Sequence, residues 1–449
     1  MKSVNIHTLG CQMNVYDSEQ IMRLLTPLGY YHEADPEKAD LVILNTCSIR
    51  QKAADKAFSF LGRLKKHKEK EGNVIIGVGG CVAQQEGEDI LKRAGYVDFV
   101  FGTDTVFKIG EIVKRAENGE KIADTAVDSL AAEPGSNSSL PDFDTLSGFV
   151  SIMRGCDNFC TYCIVPFVRG REKSRAPEDI ISEISRKADK GMKEVTLLGQ
   201  NVNSYGIKEN APDFSELLYM VADIKGIERI RFATSHPKDL SDSLVKCFAG
   251  IDKLCTHFHI PVQSGSDNIL KKMNRRYTRE HYLERIEALR NVCPDIELST
   301  DIIVGFPGET DSDFEKTMSL INEVEYDSVF AFAYSDRPGT RAASFENKVD
   351  LQVKKERLNT LLERQNFITK KKNSEFEGKK IDILVETADI KTDKNNIRTA
   401  VVNGRSFGNR IVHINEDFSE YQRLESFCGE IKKVKIVRAL GHSLKGEFV

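Results

Sequence analysis

Short apolar runs separated by amphipathic stretches set the rhythm of this chain. In the first quarter the runs cover residues 4–9, 41–44, 74–78 and 97–101, each followed by Gly, Asn or Thr turn signals. Strands alternating with helices predict a parallel α/β sheet domain over residues 1–116. A polar stretch containing Pro134-Gly135-Ser136-Asn137-Ser138-Ser139 and Pro141 follows, and its composition predicts a linker over 117–147. The β/α rhythm then resumes with longer units over 148–373. Candidate strands cover 149–153, 194–198, 229–233, 257–261, 297–304 and 328–333, with helical segments such as 178–190 and 279–291 between them. Six such units are too few for a closed eight-stranded barrel, so an open, partial (β/α)6 barrel is predicted. A helix over 353–372 leads away from it. Residues 374–449 switch to period two, with candidate strands at 381–386, 398–402, 411–414 and 433–437, which predicts a small all-β barrel.

Composition narrows the class without redrawing this outline. A length of 449 residues suits about three domains. Charged residues at 29 % and hydrophobic ones at 40 % are ordinary for a soluble globular protein. No apolar run approaches the roughly 18 residues of a membrane span, and the start Met1-Lys2-Ser3-Val4-Asn5-Ile6-His7 has no signal-peptide core. A cytoplasmic protein without a membrane partner is therefore expected. Ten cysteines at this length form no disulfide-scaffold pattern and suit a reducing compartment, where clustered Cys means metal or redox chemistry. The net charge of −4 gives no global case for a nucleic-acid partner, which has to rest on local patches.

The strongest chemical signal is Arg154-Gly155-Cys156-Asp157-Asn158-Phe159-Cys160-Thr161-Tyr162-Cys163. Three thiolates spaced C-x3-C-x2-C can ligate three irons of a four-iron cubane and leave the fourth open, the condition for catalysis at a metal. Zinc would want a fourth Cys or His nearby, and none follows. Against this stands the plain reading of three structural cysteines, which are usually dispersed in cores rather than clustered beside Arg and Gly.

Cys11, Cys47 and Cys81 form a second, hidden pattern: each lies just past one of the first three apolar runs. Parallel strands place their C-terminal ends on one edge, so these three thiols are expected to converge, with Gly10, Gly79 and Gly80 allowing close backbone approach. Convergence supports a metal site and leaves zinc and iron–sulfur both open. Cys247, Cys255, Cys293 and Cys428 share no spacing and read as small buried hydrophobes.

The C-x3-C-x2-C motif, with Tyr162 before its last cysteine, resembles the signature of the radical S-adenosylmethionine (SAM) superfamily. Thr8-Leu9-Gly10-Cys11-Gln12-Met13-Asn14-Val15-Tyr16-Asp17-Ser18-Glu19, with Asn45-Thr46-Cys47 and Gly80-Cys81, resembles the methylthiotransferases within it. Gln12-Met13-Asn14, Arg169-Gly170-Arg171-Glu172 and Pro261-Val262-Gln263-Ser264-Gly265-Ser266-Asp267 are closest to the tRNA-acting branch. The Pro-Lys-Asn of the ribosomal-protein branch is absent. The resemblance spans nearly the whole chain and implies an N-terminal methylthiotransferase domain, a radical SAM barrel and a C-terminal TRAM barrel. It implies two [4Fe-4S] clusters, on Cys156, Cys160 and Cys163 and on Cys11, Cys47 and Cys81, with SAM as cosubstrate. The activity implied is methylthiolation of carbon 2 of N6-isopentenyl (dimethylallyl) adenosine beside the tRNA anticodon. The partners implied are tRNA through its anticodon stem-loop, a reductant such as flavodoxin or ferredoxin, and a sulfur donor.

For SAM, position points to Tyr162, to Gln200 and Asn201 after the second central strand, to Gln263 and Ser264 after the fourth, and to Asp301 in the fifth. The family's usual Gly-Gly-Glu is missing at Leu198-Gly199-Gln200-Asn201. Loop hydrogen bonding is the competing role for these polar groups. For RNA, Arg169, Arg171 and Arg175 beside the cysteine loop and Lys271, Lys272, Arg275, Arg276 and Arg279 are the candidate cations, whereas Lys65-Lys66-His67-Lys68 and Lys370-Lys371-Lys372 read as solvated helix faces. A rival reading is a non-catalytic iron–sulfur RNA-binding protein that senses redox state, which would not need an open iron.

Overall fold

Leu41–Thr46 is buried at every position, as a central parallel strand must be. The computed structural model describes residues 1–47, 51–72, 74–127, 140, 145–209, 211–394 and 396–449, without the side chains of 51–56 and 71. In it this segment is β3 of a six-stranded sheet, with β1 (Lys2–Leu9), β2 (Tyr30–His32), β4 (Ile75–Gly80), β5 (Phe99–Phe101) and β6 (Ile122–Asp124). The order is β2-β1-β3-β4-β5-β6 and every pair is parallel. The two edge strands are only three residues long, too short to leave a pattern in the sequence. β6 lies inside the stretch read as a linker. The Pro-Gly-Ser run of that stretch falls in 128–139 and 141–144, outside the described residues.

The central domain follows the expected rhythm. β7 (Ser147–Ser151) is followed by a two-stranded antiparallel clamp, β8 (Met153–Arg154) with β9 (Lys173–Ser174), that closes off the cysteine loop. Then come β10 (Glu194–Leu198), β11 (Arg229–Phe232), β12 (His257–His259), β13 (Glu297–Val304) and β14 (Ser328–Ala333). The sheets β11-β10-β7 and β12-β13-β14 are joined by the parallel bridge Ile230–Leu254, making one curved wall of six parallel strands. No pairing joins β14 back to β7 among the described residues, so the barrel is open. Alternate residues such as Val195, Leu197, Ile230, Phe258, Leu298 and Ile302 form the core beneath the helices. Their neighbours, including His259, Asp301, Phe330 and Phe332, consequently face the lumen.

The helix Leu351–Ser374 leads to a closed barrel, β15 (Lys380–Thr392), β16 (Arg398–Ser406), β17 (Ile411–Asp417), β18 (Ile431–Ala439) and β19 (Leu444–Phe448). Sequence periodicity missed β19 because, in Leu-Lys-Gly-Glu-Phe, a glycine takes one of the inward positions and thins the apolar alternation. Its pairing with β17 and β18 closes the ring. This barrel docks under the floor of the central wall. Arg229 donates to the Arg405 carbonyl at 2.5 Å, Arg231 donates to the Ser406 carbonyl at 2.8 Å, and Arg410 reaches Glu297 at 3.1 Å. Among the described residues no helix is long and apolar enough to cross a membrane.

Candidate functional site

The N-terminal cysteines are set by strand ends. Cys11 follows β1 and caps the helix Gln12–Leu25, whose N-terminus favours an anionic group. Asn14 ties the edge together: Cys11 Sγ donates to its Oδ1 at 3.3 Å, and its Nδ2 donates to Asn45 Oδ1 at 3.1 Å. The Cys47 N–H donates to the Leu9 carbonyl at 3.0 Å, which locks the ends of β1 and β3 side by side. Cys81 follows Gly80, whose φ of +89° admits glycine; a Cβ there would lie 2.4 Å from the Thr46 carbonyl oxygen. The Cys11 thiol is pulled down to about 6, first by a hydrogen bond with Cys47, with Arg169 adding to the effect against burial. Burial pushes the Cys81 thiol up, opposed by Arg169, and Cys11 is close enough to add to the rise. The structure thus brings Cys11, Cys47 and Cys81 to one place.

The second set is local. Gly155, at φ +71°, lets the chain turn into the loop; a Cβ would meet the Arg171 carbonyl oxygen at 2.1 Å. The Cys156 N–H donates to the Gly170 carbonyl at 3.3 Å, and that of Cys163 to the Cys160 carbonyl at 2.9 Å. The loop is pinned from outside. Thr161 N–H donates to the Met273 carbonyl at 3.0 Å, and Asn274 Nδ2 donates to the Asn158 and Phe159 carbonyls at 3.1 and 3.0 Å. Arg275 sends Nη1 to Cys160 Sγ at 3.5 Å and Nη2 to the Pro261 carbonyl at 2.6 Å. Burial pushes Cys156 up to about 11 and Cys163 up to about 12, and the neighbouring Cys160 raises both further. Thiols in such surroundings ionise only against a strong positive charge, so the donor set fits a bound cationic cluster. Among the described residues no three His, Cys, Asp or Glu side chains are grouped to hold a single metal ion.

The two sets face one space. Cys81 packs against Ile164 and Val168, just past Cys163. Arg337, in the loop after β14, feels the negative pull of both Cys163 and Cys47 while burial lowers its pKa.

The polar candidates divide. Asn201 Nδ2 donates to Ser204 Oγ at 2.9 Å and Asp239 Oδ2 at 2.7 Å. Its Oδ1, Gln200 Oε1, Asn203 Oδ1 and His236 Nε2 are buried without a partner. Orphaned buried polar atoms cost about 1–3 kcal/mol each, so four beyond the ends of β10 and β11 fit a polar ligand. Sequence reading missed Asn203 and His236, which lie in unremarkable loop strings. Asp301 faces the lumen, 3.5 Å from His259. Gln263, at φ +70°, extends the wall through backbone bonds with Asp301 and Ile303. Ser264 spends its hydroxyl on Ser266 N–H at 3.2 Å and Thr317 at 3.4 Å. Tyr162 is half-buried and packs with Ile269, Met273 and Phe306.

The expected RNA cations are mostly not free. Arg169 is buried 2.6 Å from Asp17, and Arg175 is buried 2.8 Å from Glu183. Arg275 holds the cysteine loop. Arg171 is the exposed member of its group, paired with Asp157 at 2.6 Å.

An open wall of six parallel strands with three cysteines looped beyond its first strand defines a radical SAM protein, and residues 150–321 match the Radical SAM superfamily. Residues 3–102 match the family described as "Uncharacterized protein family UPF0004". The chain belongs to the family of the tRNA-2-methylthio-N(6)-dimethylallyladenosine synthases. It is 50 % identical to the one from Desulfosudis oleivorans, over 99 % of this chain and 96 % of that protein. It is 48 % identical to the one from Syntrophus aciditrophicus, over 100 % of this chain and 95 % of that one. Among solved structures, the radical SAM methyltransferase TsrM from Kitasatospora setae shares the fold, with a TM-score of 0.56 at 13 % identity over 76 % of this chain and 75 % of that one.

Proposed function

We propose that the chain is a tRNA methylthiotransferase that installs a methylthio group at carbon 2 of N6-isopentenyl adenosine beside the anticodon. The observation that carries this reading is the pair of cysteine triads opening on one space, one at the mouth of a radical SAM wall and one on the edge of a second sheet. Cys156, Cys160 and Cys163 would hold the cluster that binds SAM; Cys11, Cys47 and Cys81 would hold a second cluster that presents sulfur. When bound, these cofactors supply the hard chemistry, a 5′-deoxyadenosyl radical able to take hydrogen from an aryl carbon and a sulfur to replace it. The protein's own part is placement. Gln200, Asn201, Asn203 and His236 offer buried polar atoms to SAM, with Asp301 at the lumen wall. Phe330 and Phe332, 50 % and 41 % exposed on the lumen face of the edge strand, suit a flipped-out prenylated base. A low-potential reductant of the flavodoxin or ferredoxin type, a sulfur donor and a cytoplasmic setting belong to the same reading. Mass spectrometry of tRNA nucleosides from cells lacking and then regaining the chain tests it: the 2-methylthio nucleoside should vanish and return. Its persistence without the chain would end the assignment.

A further inference from the structure

Arg169 follows the short helix Val165–Val168, itself just past the central cysteines, yet its side chain belongs to the other domain. It is 8 % exposed, its Nη2 lies 2.6 Å from Asp17 Oδ2, and Val168, the residue before it, packs against Cys81. Asp17 sits in the first turns of the helix that Cys11 caps. The backbone that carries Arg169 is fixed from the N-terminal side, because Thr103 Oγ1 donates to the Val168 carbonyl at 2.6 Å.

A plain interdomain ion pair is the competing account. That task already has other holders: Arg154 with Asp104 at 3.2 Å, and Lys187 with Glu19. A buried pair also adds little net stability, because desolvation offsets its attraction. The placement is moreover particular to this pair: Arg169 comes from the segment that packs on Cys81, and Asp17 from the helix that Cys11 caps.

We propose that Arg169 is a positioning residue lent by the central domain to the N-terminal cysteine site, where Asp17 aims and tempers its guanidinium so that anionic sulfur at Cys11 and Cys81 is held against a fixed positive charge. The inference rests on the second cluster proposed above. One added electron makes such a site more negative, so a nearby fixed cation favours the reduced state and a nearby anion opposes it.

The test uses the full chain with Cys156→Ala, Cys160→Ala and Cys163→Ala, so that the remaining iron–sulfur signal comes from the N-terminal site. Its midpoint potential is followed by EPR during a redox titration. Arg169→Met should lower the potential, Asp17→Asn should raise it, and Arg169→Lys should stay near the parent. Shifts of opposite sign are what a purely structural pair would not give; unmoved potentials, or shifts of one sign, overturn the proposal. If Arg169→Met does not hold iron, the other two variants decide. A raised potential in Asp17→Asn with iron retained in Arg169→Lys supports the proposal, and an unmoved Asp17→Asn overturns it. A triple-alanine parent that binds no iron overturns the second-cluster reading itself, an outcome distinct from an iron-loaded parent whose potential ignores Arg169.

Discussion

The two cysteine triads use the same donor atoms in different surroundings. The N-terminal triad is assembled from three strand ends far apart in sequence, and a hydrogen bond from Cys47, a helix N-terminus and Arg169 bring its first thiol down to about 6. The central triad comes from a single loop whose burial lifts Cys156 to about 11 and Cys163 to about 12. Cys11 is prepared for anionic sulfur before any metal arrives; burial disfavours the anion at Cys81, Cys156 and Cys163. The difference teaches that an identical ligand set is tuned by what surrounds it; in the division of labour proposed above, the radical-forming role falls to the triad whose thiols are disfavoured as anions by burial.

The largest effects should come from removing either triad. Alanine at Cys156, Cys160 and Cys163 is expected to abolish SAM cleavage and cut iron from about eight to about four per chain. Alanine at Cys11, Cys47 and Cys81 should leave reductive SAM cleavage running while sulfur insertion stops. Methylthio product from that variant would dissolve the distinction between the triads.

Next come the two turn glycines. Gly155→Ala and Gly80→Ala each put a Cβ within 2.1 and 2.4 Å of a carbonyl oxygen at positive φ. Each should cost about 1–3 kcal/mol locally and deplete iron from its own triad alone, which iron analysis with EPR can resolve. Equal loss at both triads would show that the sites are coupled more tightly than their separate frames suggest.

Metal removal sharpens the contrast in the thiols. In iron-free chain at pH 7, Cys11 should be mainly thiolate and alkylate readily, slowing as pH falls through about 6, while Cys156 and Cys163 stay protonated until far more alkaline pH. Peptide mapping after a short iodoacetamide pulse reads this; equal labelling at pH 7 contradicts it.

The smallest effect concerns RNA. Arg171→Ala should flatten the log affinity against log salt slope by about 0.7 if it makes one contact to single-stranded phosphate, whereas Arg169→Lys should leave the slope unchanged. A shallower slope in Arg169→Lys would mean that its buried pair with Asp17 opens to the RNA.

Much of this was legible before the structure. The apolar runs at 4–9, 41–44, 297–304 and 328–333 became β1, β3, β13 and β14, because a buried strand leaves its mark in consecutive apolar residues. The three-residue edge strands β2 and β6 did not, since pairing at an edge takes backbone groups rather than apolar side chains, and neither did the short β19. The charges were hardest. Arg169 and Arg175 look like a basic entrance in sequence, but Asp17 is brought to Arg169 only by the packing of one domain on the other, and Glu183 reaches Arg175 from the helix Pro177–Asp189. Likewise Arg275 belongs to a basic string and yet braces Cys160. A string of residues shows its charge, not who stands opposite.

The docking of the last barrel beneath the central wall has a consequence for biosynthesis. The carbonyls that receive Arg229 and Arg231 lie at Arg405 and Ser406, 176 and 175 residues later in the chain. At about 5–20 residues per second, translation takes on the order of ten to forty seconds to deliver them. Throughout that interval Arg229 and Arg231 wait at the base of the wall without the carbonyls that receive them, so the central domain folds before its floor is braced.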